Sequence, residues 1–360
     1  MANAYLTANS YLGMVIEATP GTLPSSAGST YATGKPAWIP VMSPQITPTL
    51  AFLRDEALRG SPTQVYDMVQ GVRHDLFEFK TYLYADTFPM LARSILGSYD
   101  METVPNEYVH TFRLLNDPAT GSQPPTYSLL DFDGANYFTT SYSVADSLAI
   151  SFGAEVAAEA TVKYMAFPYT TYTEAPSVFA SQSLSTEALI PSWNASITIG
   201  SNTFYNVQSG DITLNRKTAP IFTVGSTGYP NTQAPYTVFA GPLEVTGKFT
   251  LVLNNQNDVF SVGSTLGAFD TTNAWALTRD HGEAMVIALS DPNDTTGGTA
   301  HFVEFSISAP QFFNVKRTRG KEYTEVEVEF TGIANTTDGG SGGTYSPISI
   351  TVGNGESGAY

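Results

Sequence analysis

The segment Tyr323-Thr324-Glu325-Val326-Glu327-Val328-Glu329-Phe330 carries a carboxylate at every second residue. In an extended chain that period places Glu325, Glu327 and Glu329 on one face and Val326, Val328 and Phe330 on the other. The acidic face fits either a solvated outer strand or the wall of an aqueous channel. Other spacings suggest chemistry and fail its requirements. Gly339-Gly340-Ser341-Gly342-Gly343 has the Gly-x-Ser-x-Gly form, but a nucleophile elbow needs a strained turn between a buried strand and a helix, and neither flank supplies one. Gly28 to Gly34 followed by Lys35, and Gly241 to Gly247 followed by Lys248, resemble phosphate loops but have five residues between the glycines in place of four, and Pro36 and Phe249 stand where Ser or Thr is needed.

The four histidines, His74, His110, His281 and His301, lie singly, without the i, i+4 pairing of a zinc helix. Asp131-Phe132-Asp133-Gly134 and Asp291-Pro292-Asn293-Asp294 have oxygens at cation-ligand spacing but lack the closing Glu of a calcium loop, and read as Asp-rich turns. There is no cysteine, which excludes disulfides and thiol chemistry. The expectation is a protein without catalytic residues, cofactor or metal.

Composition says what scaffold must hold these residues. With 42% hydrophobic residues, 20 Tyr and 21 Phe, the chain has enough apolar surface to offset the entropy of ordering. Only 14% is charged, and the abundance of Ser, Thr, Gly and Asn favours short strands and turns over helical bundles. A net charge of -17 makes the outer surface a poor binder of nucleic acid, because affinity for phosphates comes from Lys and Arg releasing counterions. A passage that DNA must cross quickly benefits from the same repulsion. No stretch approaches 18 consecutive apolar residues, and Met1 to Ala8 has neither the basic residue nor the apolar core of a signal peptide, so assembly in the cytoplasm, without a membrane, is expected.

Strand-like segments bounded by turn residues run over 38–41, 70–84, 108–115, 127–132, 136–152 and 160–167, and again over 193–199, 212–214, 239–253, 284–289, 301–308 and 323–330. One helix is predicted from Asp86 to Gly97. Asp86 is placed to cap it, Pro89 lies in its first turn, and Phe88, Leu91, Ala92, Ile95 and Leu96 form its apolar stripe. A weak internal repeat aligns Gln70–Leu83 with Ala240–Leu253, Ser43–Ile46 with Ser209–Ile212, and Ser147–Phe152 with Phe302–Ile307. The domains read as an N-terminal arm (1–37), a first β domain (38–168), a linker rich in Ser, Thr and Pro (169–192), a second β domain (193–334) and a flexible C-terminal tail with a short strand (335–360).

The run Asp55-Glu56-Ala57-Leu58-Arg59-Gly60, then Gln70-Gly71, a strand, and Asp86-Thr87 opening a helix that ends Leu96-Gly97-Ser98, resembles actinobacteriophage-type tail tube proteins of siphophages. So do Val238–Gly247 and the early Gly13–Thr22, and the likeness spans roughly residues 10 to 335. The resemblance implies an all-β fold with a minor helix: two tandem β-sandwich domains whose sheets join between subunits into a barrel with a mostly acidic lumen. It implies a homo-oligomeric ring, of three duplicated subunits or of six, stacked into a virion tail tube around a tape-measure protein and, transiently, DNA. Under that likeness Glu325, Glu327 and Glu329 are the lumen-facing candidates. Arg54, Asp55, Glu56 and Arg59, in the segment 54–66 between two strands, are candidates for an inter-ring loop, a position that equally suits an ordinary solvated loop. The alternatives are another β-rich virion protein, such as a distal tail or decoration protein, or a glycan-binding adhesin.

Overall fold

In the computed structural model, which describes residues 6–104, 107–183, 185, 187–200, 202–224, 233–252, 283–291, 301–320, 322–340 and 344–360, one run of eight antiparallel strands crosses from the first half of the sequence into the second. Its order is β3 (Gln45–Asp55), β4 (Asp67–Tyr82), β9 (Val156–Ala166), β8 (Tyr137–Gly153), β13 (Val207–Asn215), β16 (Glu244–Val252), β20 (Thr324–Gly332) and β19 (Pro310–Arg319). The halves meet where β8 pairs with β13, from Ser209–Gly153 to Asn215–Ser147.

A second sheet runs β12 (Asn202–Phe204), β11 (Ser196–Ile199), β17 (Met285–Asp291), β18 (His301–Ile307), β21 (Ser349–Asn354), β6 (Glu107–Leu114) and β5 (Gly97–Val104). The long strand β8 forks. Its first part leaves the eight-stranded run to pair with β7 (Tyr127–Phe132) and β10 (Thr170–Tyr172), and β7 continues into β1 (Tyr11–Ile16) and β2 (Ala37–Ile39). A small ribbon, β14 (Ala219–Ile221) with β15 (Thr237–Phe239), forms a separate two-stranded sheet that packs on β8.

Alternation explains why these strands stack into layers. In β16 and β20, Val245, Phe249, Leu251, Val326, Val328 and Phe330 are buried, while the residues between them are not. They join the same core as Val303, Phe305 and Ile307 of β18 and Ile350 and Val352 of β21. The helix α1 (Phe88–Leu96) packs on β5, β6 and β8, and its Phe88 meets Phe305 of the second half edge to face at 6.0 Å. Its apolar stripe is as expected, and Gly97 ends it at φ 90°. Asp86 does not cap it. Thr87 holds that position without a side-chain bond, and Asp86 is drawn inward, where its carbonyl accepts the Tyr360 hydroxyl at 2.7 Å and burial pushes its carboxyl upward in pKa.

Two glycines let aromatic rings cover the long sheet. A Cβ on Gly247 would stand 2.4 Å from the Asp211 carbonyl and 2.5 Å from the Phe330 ring, and one on Gly210 would stand 2.4 Å from the Phe152 ring. Gly247→Val is therefore expected to lower stability by about 1–3 kcal/mol through overpacking. Denaturant unfolding reads this directly, and an unchanged midpoint would show that the ring moves aside without cost.

Three segments differ from the sequence expectation. The first 37 residues are not a loose arm, because Leu12, Met14 and Val15 are fully buried in β1, between β7 and β2. Within 169–192, Val178 and Phe179 pack on Trp38, and Ile190 donates its N–H to the Leu83 carbonyl, so the segment clings to the first half. The expected tail is tied down: β21 lies between β18 and β6, and Asp338 accepts from both N–H and hydroxyl of Ser308. Its alternating Ile348, Ile350 and Val352 supply the buried face. The repeat register also shifts in one place. Ser147–Phe152 lies in the long sheet, whereas Phe302–Ile307 lies in the other sheet.

Candidate functional site

The outward face of the long sheet follows from the cross-strand register. Partners directly opposite share a face, so Glu325, Glu327 and Glu329 stand beside Val252, Thr250 and Lys248, and Lys248 beside Asp211. The same face carries Glu244, Glu159, Lys163, Glu78 and Lys80, with Lys316 opposite Glu327. Seven carboxylates thus share it with four lysines.

Pairing distributes the charge unevenly. Lys163 meets Glu78 at 3.1 Å, Lys80 meets Glu159 at 3.3 Å, Lys248 meets Asp211 at 3.8 Å and Lys217 meets Glu244 at 3.0 Å. Glu329 accepts from the Asn314 amide at 2.9 Å, and Glu325 and Glu327 form no ion pair among the described residues. Among the described residues, the carboxylates of this face without a lysine bridge are therefore those of β20. Asp211 registers their charge: burial raises its pKa, Lys248 opposes that, and the Glu327 and Glu329 charges raise it further.

Both ends of the run are open. Among the described residues, strand β3 pairs only with β4, and β19 only with β20, which leaves a row of backbone N–H and C=O groups without a strand partner on each. Each edge is irregular. β3 contains Pro48 and a register shift between Leu50 and Phe52; β19 shifts between Phe313 and Lys316, with Asn314 at φ 52°. Bulges, proline and basic residues limit indiscriminate pairing at such edges. With eight strands of alternating direction, the two edges run opposite ways, so identical sheets can join β19 to β3 antiparallel.

The hairpin of β3 and β4 outruns the sheet. Pairing of β4 with β9 ends at Asp75, and the ribbon beyond it exposes Phe52 (53%), Leu53 (65%), Met68 (49%) and Val69 (58%), with Leu58 at the tip (98%). Asp55 organises the tip by accepting the Ala57 N–H at 3.0 Å and pairing with Arg59, whose guanidinium lies 5.0 Å from the Tyr66 ring centre. Arg54 and Glu56 are exposed beside it, so the four loop candidates share this tip. At the base, buried Asp75 takes two bonds from Arg73 at 3.1 Å and the Tyr169 N–H at 2.7 Å.

The remaining sequence motifs have structural partners. Asp133 closes a turn by accepting from Ala135 and Asn136, and burial, followed by Asp133, pushes Asp131 up to about 6. His110 is buried against Tyr99, Asn354 and Tyr360, and His301 faces Glu187. Lys35 meets Glu356 at 3.0 Å. His281, Asn293, Asp294, Ser341, Gly342, Gly343 and the end of the expected strand at Leu253 lie outside the described residues.

An all-β subunit that presents a charged sheet face, two open edges and a projecting apolar hairpin is a structural protein built to associate with copies of itself. The chain belongs to the phage tail tube protein family, whose model matches residues 7–332. It is a structural component of the virion tail, and its family assembles as a stacked oligomeric tube. No curated protein matches the chain.

Proposed function

We propose that three chains close into one ring of the tail tube, each adding its eight-stranded run to a common barrel, and that the charged face lines the lumen through which DNA leaves. The observation that carries this reading is the continuity of the run across both halves with oppositely directed open edges. Within it, β3-β4-β9-β8 and β13-β16-β20-β19 have the same spatial order relative to the sequence, which supports two tandem tube domains, 38–168 and 193–334, arising by duplication.

Width favours three. At ~4.8 Å between strands, 24 strands enclose a backbone diameter of about 37 Å before tilt, and side chains reaching ~5 Å inward leave about 27 Å. Two chains would leave about 14 Å, narrower than a double helix, and six would leave about 63 Å, far more than one needs. Before DNA enters, the same lumen would hold a tape-measure protein during assembly in the host cytoplasm. The projecting hairpin, with Arg54, Asp55, Glu56 and Arg59 at its tip, reaches the next ring.

Electron cryo-microscopy of the tube tests this. Three chains per ring, β19 against a neighbour's β3, and Glu325, Glu327 and Glu329 inside are expected. Six chains per ring, or those glutamates on the outer wall, would refute it.

A further inference from the structure

The two halves of the long sheet correspond residue by residue. The sequence repeat sets Glu78 of β4 in the place of Lys248 of β16. Glu78 faces Gln45 on one side and Lys163 on the other, and Lys248 faces Asp211 and Glu329. Gln45, Ile46 and Thr47 of β3 therefore take the places of Asp211, Ile212 and Thr213 of β13. At equal steps beyond Lys163 and Glu329, Glu159 faces Ser151 and Glu325 faces Thr318, so Lys316, Arg317 and Thr318 of β19 take the places of Ala149, Ile150 and Ser151 of β8. Inside the chain these β8 and β13 residues pair directly, as Ala149–Thr213, Ile150–Ile212 and Ser151–Asp211. Backbone direction agrees. The Arg216 N–H donates to the Asp146 carbonyl at 2.8 Å and the Ala154 N–H to the Gln208 carbonyl at 3.0 Å, in step with that register, so the backbone groups of Ile150 and Ile212 point at each other. The Leu83 N–H donates to the Ala158 carbonyl on the β9 side at 2.9 Å, so the alternate residues of β4 turn to β3 and leave Ile46 turned outward. The Gly320 N–H donates to the Tyr323 carbonyl at 2.9 Å, which turns Lys316 and Thr318 to β20 and Arg317 outward. The outward-turned Ile46 and Arg317 are the equivalents of the bonded isoleucine pair.

We infer that the joint between chains repeats the joint inside the chain in the same register: in the closed ring proposed above, on which this rests, Arg317 stands opposite Ile46 of the next chain, Lys316 opposite Thr47 and Thr318 opposite Gln45. The occupant of each edge is a second copy of this chain. A slip of one residue would bring the charged face of one chain beside the core face of the next and mismatch the backbone groups. The register given keeps the charged face continuous, since Lys316 lies opposite Glu327 and Gln45 opposite Glu78 on it. The two kinds of joint differ in one respect. Ile150 and Ile212 are fully buried, whereas their equivalents are an exposed Arg317 and a partly buried Ile46. The arginine stem covers Ile46 in the ring, and before assembly its charge discourages pairing with wrong strands. Pro48, which also turns outward, has no N–H and narrows the choice of partner further.

The chain has no cysteine, so paired substitutions report this register directly. In full-length protein, Thr47→Cys with Lys316→Cys and, separately, Gln45→Cys with Thr318→Cys place thiols on opposite residues that exchange no backbone bonds across the joint. Such residues lie about 4.5 Å apart at Cα, within disulfide reach. All four side chains are exposed, so the core is untouched, and the second pair covers the case in which the first fails to fold. Thr47→Cys with Thr318→Cys is the diagonal control, at about 7–8 Å too far to bridge. After mild oxidation, electrophoresis without reductant is expected to show most of each direct pair as covalent oligomers and the diagonal pair as single chains. Linking by the diagonal pair alone, or by no pair in protein that negative-stain microscopy shows as rings, would overturn the inference. Unsubstituted protein that forms no rings, or a covalent ladder extending past three chains, would instead overturn the three-chain ring beneath it.

Discussion

A chain carrying Glu325→Lys, Glu327→Lys and Glu329→Lys is expected to assemble tubes of ordinary length and to release DNA slowly from virions. The three side chains point away from the core that holds β20, so the substitutions leave Val326, Val328 and Phe330 in place. The charge of the exposed face, however, changes sign, because seven carboxylates against four lysines become four against seven. The glutamates stand roughly 7 Å apart along the strand, inside a Debye length of ~8 Å at physiological salt, so their fields merge. Lysines there would bind passing phosphates and release counterions, a gain that weakens steeply as salt rises. Release kinetics from phage carrying the variant should therefore be slowest at low salt and approach wild type at high salt. Normal release at every salt concentration, from normal tubes, would show that DNA never meets this face.

Glu17→Ala is expected to cost more than the roughly 1–3 kcal/mol of stranding a single buried donor, because the carboxylate serves four. The Glu17 carboxylate, 7% exposed, accepts the N–H of Gly21 at 2.7 Å, the hydroxyls of Thr126 and Ser128 at 2.7 and 2.6 Å, and the N–H of Tyr142 at 2.9 Å. It thereby binds the end of β1 to β7 and to the bend in β8, where Tyr142 has φ 53°. Alanine would strand all four donors, each costing about 1–3 kcal/mol when unsatisfied and buried, less whatever water can enter to relieve. Glu17→Gln keeps one acceptor oxygen, and the two hydroxyls can turn to accept from its amide, so its loss should be clearly smaller. Denaturant midpoints at constant m-value report both. A loss below about 1 kcal/mol for the alanine variant would mean that the donors find other partners.

How much of this was legible depended on what each segment had to do. Strands buried on one face declare themselves: β7 was expected at 127–132 and found there, and the alternation of β20 was readable residue by residue. The helix was readable because its stripe and Gly97 follow general rules, while Asp86 misled by one residue, since Thr87 holds the cap position and makes no side-chain bond there. The two edge strands were missed for the reason that makes them edges. β3 holds Pro48 and a long exposed stretch, and β19 holds Asn314 and a basic end, so neither looks like a strand in isolation. β1 was hidden by the turn residues that follow it, although Leu12, Met14 and Val15 carried the signal. Of the site, the glutamate stripe and the loop tip were visible; the lysine partners across the sheet and the network around Glu17 needed partners far away in sequence that periodicity does not reveal.

The position of β21 sets the order in which the chain can fold. Its strand pairs with β6, so that His110 reaches Asn354 across 244 residues, and it also pairs with β18. Contacts so distant in sequence are slow to form, because the entropy of closing the loop is lost before the contact rewards it, whereas the β3–β4 hairpin is local and can form in microseconds. The polypeptide thus presents its sticky ribbon early and completes the sandwich late. During that interval the nascent subunit has an apolar projection without a finished body, a period in which aggregation competes with maturation and in which a folding helper would have most to protect.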